Sequence, residues 1–204
     1  MFPMTPSESS TDSTGTSRLE AFSDSVMAVI ITIMAFELRA PVGSSFSSLA
    51  HRLPALLVYV LSFTFVGIYW NNHHHLLRAA TRISGGVMWA NLLLLFCLSL
   101  IPVATEWVAS EYGHEWPAAT YGLVALAAAL SFTLLVRMII RADRDNSVVA
   151  AALGSDVKGL SSLVLYAGGI GLAFVDWAFA YAMYAIVSAI WFIPDRRFSR
   201  RAGH

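Results

Sequence analysis

Residues 18–38 have the sequence RLEAFSDSVMAVIITIMAFEL. It is as long and as apolar as a helix that crosses a membrane, which needs roughly 20 mostly apolar residues. A carboxylate, Asp24, nevertheless lies in its first third, between Ser23 and Ser25. A charged carboxylate at the centre of a membrane helix costs about 2.5–3.5 kcal/mol on insertion scales. The sequence therefore predicts either buried polar contacts or a functional role for Asp24.

The composition of the whole chain agrees with a membrane environment. Of its 204 residues, 57% are hydrophobic and 13% are charged, and the mean hydropathy is +0.64. Soluble domains carry about 25% charged residues, so a soluble fold of this size would have too little polar surface to cover its apolar side chains. The sequence therefore predicts an all-α integral membrane protein.

Six stretches are long and apolar enough to predict six transmembrane helices. They cover residues 18–38, 49–72, 87–108, 118–140, 157–175 and 177–193. The last two are separated only by the region of Asp176, which predicts a tight hairpin with Asp176 as a helix cap. The six stretches together define a six-helix transmembrane domain, residues 18–194.

Basic residues are distributed unevenly around these spans, although the formal net charge is zero. With the N-terminus in the cytoplasm, 11 of the 13 Lys and Arg residues fall on the inner side, and only Arg39 and Arg52 lie outside. This positive-inside pattern predicts a multi-pass plasma-membrane protein with both termini in the cytoplasm.

The two ends of the chain are expected to be tails. Residues 1–17 are rich in Ser, Thr and Pro and contain no basic residue, which predicts a disordered cytoplasmic tail rather than a signal peptide. Residues 195–204 form a basic cytoplasmic tail, whose arginines are expected to anchor the topology and to contact anionic membrane lipid. Nucleic-acid binding is not expected.

The first span has two different faces at the helical period of 100° per residue. One face carries an apolar stripe with a threonine beside it: Phe22, Val29, Ile33 and Phe36, with Thr32. Asp24 lies about 140° from Val29 around the same helix. The acid and the stripe therefore face different surroundings. The same arrangement is expected of an ordinary membrane helix that packs its stripe against neighbouring helices while Asp24 makes a buried polar contact.

The segment RLEAFSD, residues 18–24, resembles the RxxxFSD signature that opens the first span in the transmembrane protein 175 family of potassium channels. Two further segments are similar to bacterial members: YWNNHHHLL, residues 69–77, and NLLLLFCLSLIPVAT, residues 91–105. The resemblance covers most of residues 18–105, and beyond them it concerns only the number of spans.

The resemblance implies a potassium-permeable channel in which the first helices of several subunits line a central pore. Channels of this family lack the TVGYG filter, and this sequence lacks it too. By position, Val29, Ile33 and Phe36 then form the apolar pore constriction, and Thr32 forms a selectivity layer beside it. We expect passive transport of potassium, with only a modest preference over other monovalent cations.

A homotetramer is the expected assembly. One first helix cannot enclose a pore. Animal members of the family that this chain resembles fuse two six-span repeats, whereas this chain holds a single FSD copy, so the resemblance implies four identical subunits in cyclic symmetry.

A polar network is expected to hold the inner end of the first helix against its own subunit. Its predicted members are the signature residues Arg18, Phe22, Ser23 and Asp24, one histidine of the pair His73 and His74, and Asn91. The depth of these residues in the predicted topology is compatible with one buried cluster. Asp24 is thereby expected to position the pore helix rather than to conduct ions.

Glu37 and Arg39 close the first helix on the outer side. One expectation is a local ion pair between them. The other is that four Glu37 carboxylates, with the acidic residues Glu106, Glu111 and Glu115, concentrate cations at the pore mouth.

Three consecutive histidines, His73–His75, invite a metal-site interpretation. Consecutive helical residues point about 100° apart, whereas helical metal-binding pairs use i, i+4 spacing. No Cys or Glu with ligand spacing lies nearby in the sequence. The prediction is therefore no metal, no cofactor and no enzymatic activity, with potassium only as the permeant ion.

Three other functions remain open from the sequence. A proton-coupled secondary transporter would use Asp24 as its titrating carrier, although such transporters commonly show internal repeats and broken helices, and the first span contains no Gly or Pro interruption. An intramembrane enzyme would combine the histidines with Asp24 but lacks paired ligands. A purely structural membrane protein is the third.

Overall fold

The computed structural model describes residues 8–142 and 157–192, with side chains over residues 15–142 and 158–191. Every regular element in these two ranges is an α-helix, as predicted. Numbered along the chain, the helices are α1 (Glu8–Glu37), α2 (Phe46–Ala50), α3 (Leu53–Ala79), α4 (Gly85–Ser99), α5 (Ile101–Ser110), α6 (Glu115–Ala142), α7 (Val157–Ala173) and α8 (Trp177–Phe192).

Helix α1 begins at Glu8, ten residues before the start predicted at Arg18. Once a helix exists, each further residue gains one hydrogen bond for the residue it fixes, so the polar segment before Arg18 continues the helix. Residues 8–17 are therefore helical, where a disordered tail was predicted. Residues 1–7 and the predicted basic tail of residues 195–204 lie outside the described residues.

Helix α3 begins after Arg52, with a proline in its first turn, where the missing N–H has no helical partner in any case. It ends at Ala79, seven residues beyond the predicted boundary at Asn72. The histidine run therefore lies inside α3 and not in a loop after it, and its side chains point in directions fixed by the helix.

The third predicted span is divided into α4 and α5 at Leu100. Pro102 lies in the first turn of α5. A proline has no N–H to bond the carbonyl four residues earlier, and its ring crowds that carbonyl. The regular hydrogen bonding of α4 therefore stops just before Pro102.

Four segments of the described residues are long and apolar enough to cross a membrane: residues 15–37, α3, α4 together with α5, and α6. Helices α7 and α8 have 17 and 16 residues. At 1.5 Å per residue they are about 24–26 Å long, shorter than the ~30 Å hydrocarbon core. The chain is a multi-pass membrane protein, and the count of six spans stays a prediction.

The turn between α7 and α8 contains the predicted cap. The Ala178 N–H donates a hydrogen bond of 2.8 Å to Oδ1 of Asp176. This bond satisfies one of the backbone donors left free at the start of a helix.

Helix α1 lies at the edge of the subunit. It packs chiefly against α3, α4 and α5, whereas α6 packs against α4 and α7, and α7 pairs with α8. The contact of α1 with the core runs through Met27, Ile30 and Met34, which are buried at the three- and four-residue spacing of one helical face. The opposite face of α1 makes no such buried contact with the rest of the described residues.

Two glycines make room for the buried ring of Tyr184 on α8. A Cβ at Gly122 of α6 would lie 2.6 Å from Cζ of Tyr184 and 2.8 Å from Cγ1 of Ile170, and a Cβ at Gly169 of α7 would lie 2.5 Å from Cε1 of the same ring. The Tyr184 hydroxyl donates to the carbonyl of Ala118 at 3.2 Å. Gly122 and Gly169 therefore serve close packing inside the subunit.

We expect Gly122→Ala to destabilise the protein by about 1–3 kcal/mol, because the added methyl group overpacks a rigid, hydrogen-bonded ring. The measurement is the thermal unfolding midpoint of the purified protein in detergent. Gly171→Ala is the matched control, since a Cβ there meets nothing within 4 Å and alanine is the better helix former. Equal midpoints for the two variants would contradict this packing.

Candidate functional site

A chain of three buried side chains joins α1, at Ser23, to α3 and α4. Nε2 of His73 lies 2.7 Å from Oδ1 of Asn91, and Nδ2 of Asn91 donates to Oγ of Ser23 at 2.9 Å. Ser23 in turn donates to the carbonyl of Leu19 at 2.8 Å. The three side chains belong to residues with 0% exposure, so the bonds form in a medium where an unpaired polar group is costly.

The direction of these bonds follows from the donors and acceptors available. An asparagine that donates to Ser23 through its amide nitrogen presents its carbonyl oxygen to His73, so Nε2 of His73 carries the proton. The serine hydroxyl accepts from Asn91 and donates to the α1 backbone. One continuous donor-to-acceptor chain therefore ends on the helix that carries the apolar stripe.

A second contact between α1 and α3 lies beside this chain. Nδ1 of His74 is 2.6 Å from Oε1 of Glu20, yet this nitrogen is buried and has no hydrogen-bond partner of acceptable geometry among the described residues. Oδ1 of Asp24 is also buried and without a partner there. The side-chain atoms through which Glu20, Asp24 and His74 could bind a metal ion all lie within 4.8 Å of one another.

The structure brings together Ser23, His73 and Asn91 from the predicted network and places Asp24 near His74. It does not join Arg18 to them: Arg18 is exposed, with no ion pair in the described residues. Six residues correspond to about 240° around a helix, so Arg18 and Asp24 point in different directions. Phe22 is half-exposed and belongs to the apolar stripe rather than to the network.

Glu20 was not predicted as a member of this region. The available signal was its spacing of four residues from Asp24, which puts both carboxylates on the same face of α1. The sequence could not show that this face meets the histidine run, because α1 and α3 are far apart along the chain.

A second polar cluster, which the sequence analysis also missed, lies nearer the other end of α1. The hydroxyl of Thr105 is 2.7 Å from Oγ of Ser62, which is 3.1 Å from the hydroxyl of Tyr121. Thr105 also contacts Sδ of Met34 at 4.0 Å. This cluster joins α3, α5 and α6 and touches α1 only through a weak sulfur acceptor.

The apolar stripe of α1 lies on the side away from these contacts. Val29 is 54% exposed, Ile33 42% and Phe36 88%. Thr32, beside them, is exposed and donates its hydroxyl proton to the carbonyl of Val29 at 2.8 Å. Its oxygen retains lone pairs for a further contact. An open groove runs along this stripe, between α1 and the α4–α5 junction at Ser99, Pro102 and Val103.

Glu37 ends α1 beside this groove. No ion pair joins it to Arg39 in the described part of the chain, so that expectation is wrong. The Glu37 carboxylate instead lies near enough to Glu106 of α5 for the two charges to interact. Two carboxylates from different helices thus lie at the same end of the molecule.

These features define a class of protein. It is a helical, multi-pass membrane protein whose first helix is tied to its own subunit by buried polar groups on one face and exposes a stripe of large apolar side chains on another.

Comparisons with known proteins identify the family within that class. The sequence profile of the family described as "Endosomal/lysosomal potassium channel TMEM175" matches residues 18–102. A protein of Chryseobacterium sp. named as a potassium channel is 46% identical over 183 residues, which is 90% of this chain and 95% of that protein. A second, from Streptomyces collinus, is also named as a potassium channel and is 31% identical over 182 residues, 84% of this chain and 88% of that protein.

A solved structure agrees with these relatives. The crystal structure of a lysosomal potassium-selective channel TMEM175 homolog from Chamaesiphon minutus matches with a TM-score of 0.77 and 25% identity, covering 94% of this chain and 100% of that one. The chain belongs to the TMEM175 family of potassium channels. This is a family of channels and not of enzymes, and the resemblance inferred from the RxxxFSD segment is confirmed.

We expect Asn91→Ala to destabilise the protein by about 1–3 kcal/mol, because it leaves the buried Nε2 of His73 without an acceptor. The thermal midpoint and the yield of assembled protein in detergent measure the effect. Asn72→Ala is the matched control, since the Asn72 amide donates only to the carbonyl of Ile68 in its own helix. If both variants lose the same stability, the link between α1 and α4 is not important.

Proposed function

We propose that this protein is a passive, potassium-permeable channel of the plasma membrane, assembled as a homotetramer around a pore lined by four copies of α1. One observation carries the proposal: the exposed stripe of Val29, Ile33 and Phe36 on a helix whose other face is fixed to its own subunit. In the proposed topology, α7 and α8 complete six spans, and both termini are cytoplasmic.

The exposure of the stripe supports a constriction on a shared axis. Large apolar side chains at one- and two-turn spacing would form stacked rings in a cyclic tetramer. A narrow apolar ring offers an ion nothing in place of its hydration water, so the neck stops ions by dewetting. Lipid could cover the same stripe, but the family membership favours the pore.

Thr32 is proposed as the selectivity layer. Because its hydroxyl proton is given to the backbone of Val29, the oxygen is oriented by the helix and presents lone pairs beside the constriction. Four such oxygens could replace part of the hydration shell of a cation, and potassium gives up its water more easily than sodium does. Hydroxyls coordinate less densely than the stacked carbonyls of a TVGYG filter, so the selectivity is proposed to be modest.

The outer end of the pore is proposed to be acidic. Glu37 lies at the end of α1 and interacts with Glu106, and fourfold repetition would place eight carboxylates around the mouth. Clustered negative charge raises the local cation concentration. No buried charge on α1 itself needs to enter the conduction path.

Purified protein in liposomes is expected to give conductive potassium flux down a potassium gradient with the pH equal on both sides. Substitution of Val29 or Ile33 by Asn is expected to increase this flux, because a polar ring keeps the neck wet. Potassium efflux from the loaded vesicles is measured. Flux that requires a proton gradient would favour a transporter based on Asp24 over a channel.

The matched control is Val164→Asn. Val164 is a valine of α7 that is exposed to a similar degree but lies on a different helix. It is expected to conduct like the wild type. If Val29→Asn and Val164→Asn behave alike, α1 is not the pore helix.

Thr32→Val is expected to lower the ratio of potassium to sodium permeability towards one, because valine has the same shape and no oxygen. The measurement is the reversal potential under bi-ionic conditions. Thr133→Val is the matched control: Thr133 lies on α6 and also bonds a backbone carbonyl of its own helix. An unchanged ratio in Thr32→Val would remove this residue from the selectivity layer.

A further inference from the structure

The contact between Glu20, Asp24 and His74 has the composition of a metal site rather than of a simple ion pair. Two carboxylates come from α1 and one imidazole comes from α3. Imidazole and carboxylate are the donors that Zn²⁺ accepts alongside thiolate. The spacing of the histidine run provides no metal site by itself, because both carboxylate donors come from another helix.

The geometry of the three side chains is close to that of a bound ion. Tetrahedral zinc with bonds of about 2.0–2.2 Å requires ligand atoms about 3.3–3.6 Å apart. Here the three lie within 4.8 Å of one another, and Nδ1 of His74 is 2.6 Å from Oε1 of Glu20. Rotamer adjustments of about 1 Å, which separate His74 from Glu20 and bring the widest pair closer, would give the tetrahedral spacing. Glu20 and Asp24, at i and i+4, share one face of α1, so the helix itself orients both carboxylates.

Two atoms of the cluster are buried and make no hydrogen bond of acceptable geometry among the described residues. They are Oδ1 of Asp24 and Nδ1 of His74, and the latter has Oε1 of Glu20 at 2.6 Å. A buried polar atom without a partner costs free energy, and each of these two atoms is a ligand atom of the cluster's own residues. A bound cation would satisfy both of them at once, which a hydrogen bond between Glu20 and His74 alone would not.

We propose that Glu20, Asp24 and His74 form a binding site for a divalent transition metal of the Zn²⁺ type, which bridges α1 and α3. The protein supplies one nitrogen and two oxygens, and water completes the coordination. The side chains of Glu20 and His74 are 21% and 30% exposed, so the ion can enter from the polar end of the two helices. A bound metal ion would fix α1 to α3 of the same subunit. Any effect of the metal on conduction rests on the proposed channel function.

The test uses full-length protein purified in detergent through an affinity tag without histidine. Isothermal titration calorimetry with Zn²⁺ is expected to give one binding site per chain. Glu20→Gln, Asp24→Asn and His74→Ala are each expected to weaken binding by about 10-fold or more, as the loss of a ligand or of its hydrogen-bonding support does. His75→Ala is the matched control, because His75 is the next histidine and is exposed outside the cluster; its affinity stays at the wild-type value.

A second measurement separates metal ligation from a structural role. Co²⁺ added to the wild type is expected to give the visible absorption of a low-coordinate nitrogen and oxygen site. His74→Cys keeps a metal ligand and adds a thiolate-to-cobalt charge-transfer band, which misfolding cannot produce. Absence of zinc binding to the wild type, equal losses in His74→Ala and His75→Ala, or a His74→Cys spectrum without the new band would each overturn the site.

Flux in liposomes distinguishes failure of this inference from failure of the channel proposal. Protein that conducts potassium but does not bind Zn²⁺ lacks the metal site and keeps the function. Protein that binds Zn²⁺ at Glu20, Asp24 and His74 but conducts no potassium has the site and not the function. With both present, Zn²⁺ is expected to change the flux through the wild type and not through Glu20→Gln.

Discussion

The hydrogen bond from the Asn91 amide to the Ser23 hydroxyl is the contact on which the position of the first helix depends. It is buried and joins two segments 68 residues apart in sequence, and a second bond from Asn91 to His73 continues it into α3. Apolar contacts through Met27, Ile30 and Met34 give α1 a place against the core but leave its rotation weakly defined, because apolar packing is not directional. The serine and the asparagine define that rotation, and the orientation of the whole apolar stripe follows from it.

This constraint explains why polar residues are present at all on a helix of such hydrophobicity. Inside a membrane the helices gain little from hydrophobic association, since lipid tails are as apolar as leucine, and interhelical hydrogen bonds give the contact its specificity. Ser23 contributes one such bond through a small side chain, which permits α1 and α4 to approach closely. The hydrogen bonds of Ser23 are made within one turn of α1. The following turns carry the large apolar side chains that face away from the subunit.

The sequence predicted the parts of this architecture that local pattern determines. Hydropathy gave the long helices, and the spacing of Val29, Ile33 and Phe36 put them on one exposed face, as found. The polar partners at Ser23 and Asn91 were predicted through family resemblance and depth in the membrane.

The sequence could not predict features that depend on packing or on backbone hydrogen bonding. Glu20 was missed because its partner lies on α3, and only the packing of α1 against α3 brings the two together. The break at Leu100 and the start at Glu8 were missed because hydropathy does not register backbone hydrogen bonding. Arg18 was assigned to the network from the signature, although its helical angle points elsewhere.

The two polar clusters along α1 differ in how strongly they hold the helix. Near its N-terminal end α1 is held by a directional bond to Ser23 and by the carboxylate face of Glu20 and Asp24 against α3. Nearer its C-terminal end the polar cluster of Ser62, Thr105 and Tyr121 joins α3, α5 and α6 to one another, and among the described residues it reaches α1 only through the sulfur of Met34 at 4.0 Å. A sulfur acceptor at that distance resists displacement much less than a 2.9 Å bond between an amide and a hydroxyl. The polar contacts between α1 and its own subunit are therefore stronger at Ser23 than near Met34, which lies next to Ile33 and two residues before Phe36.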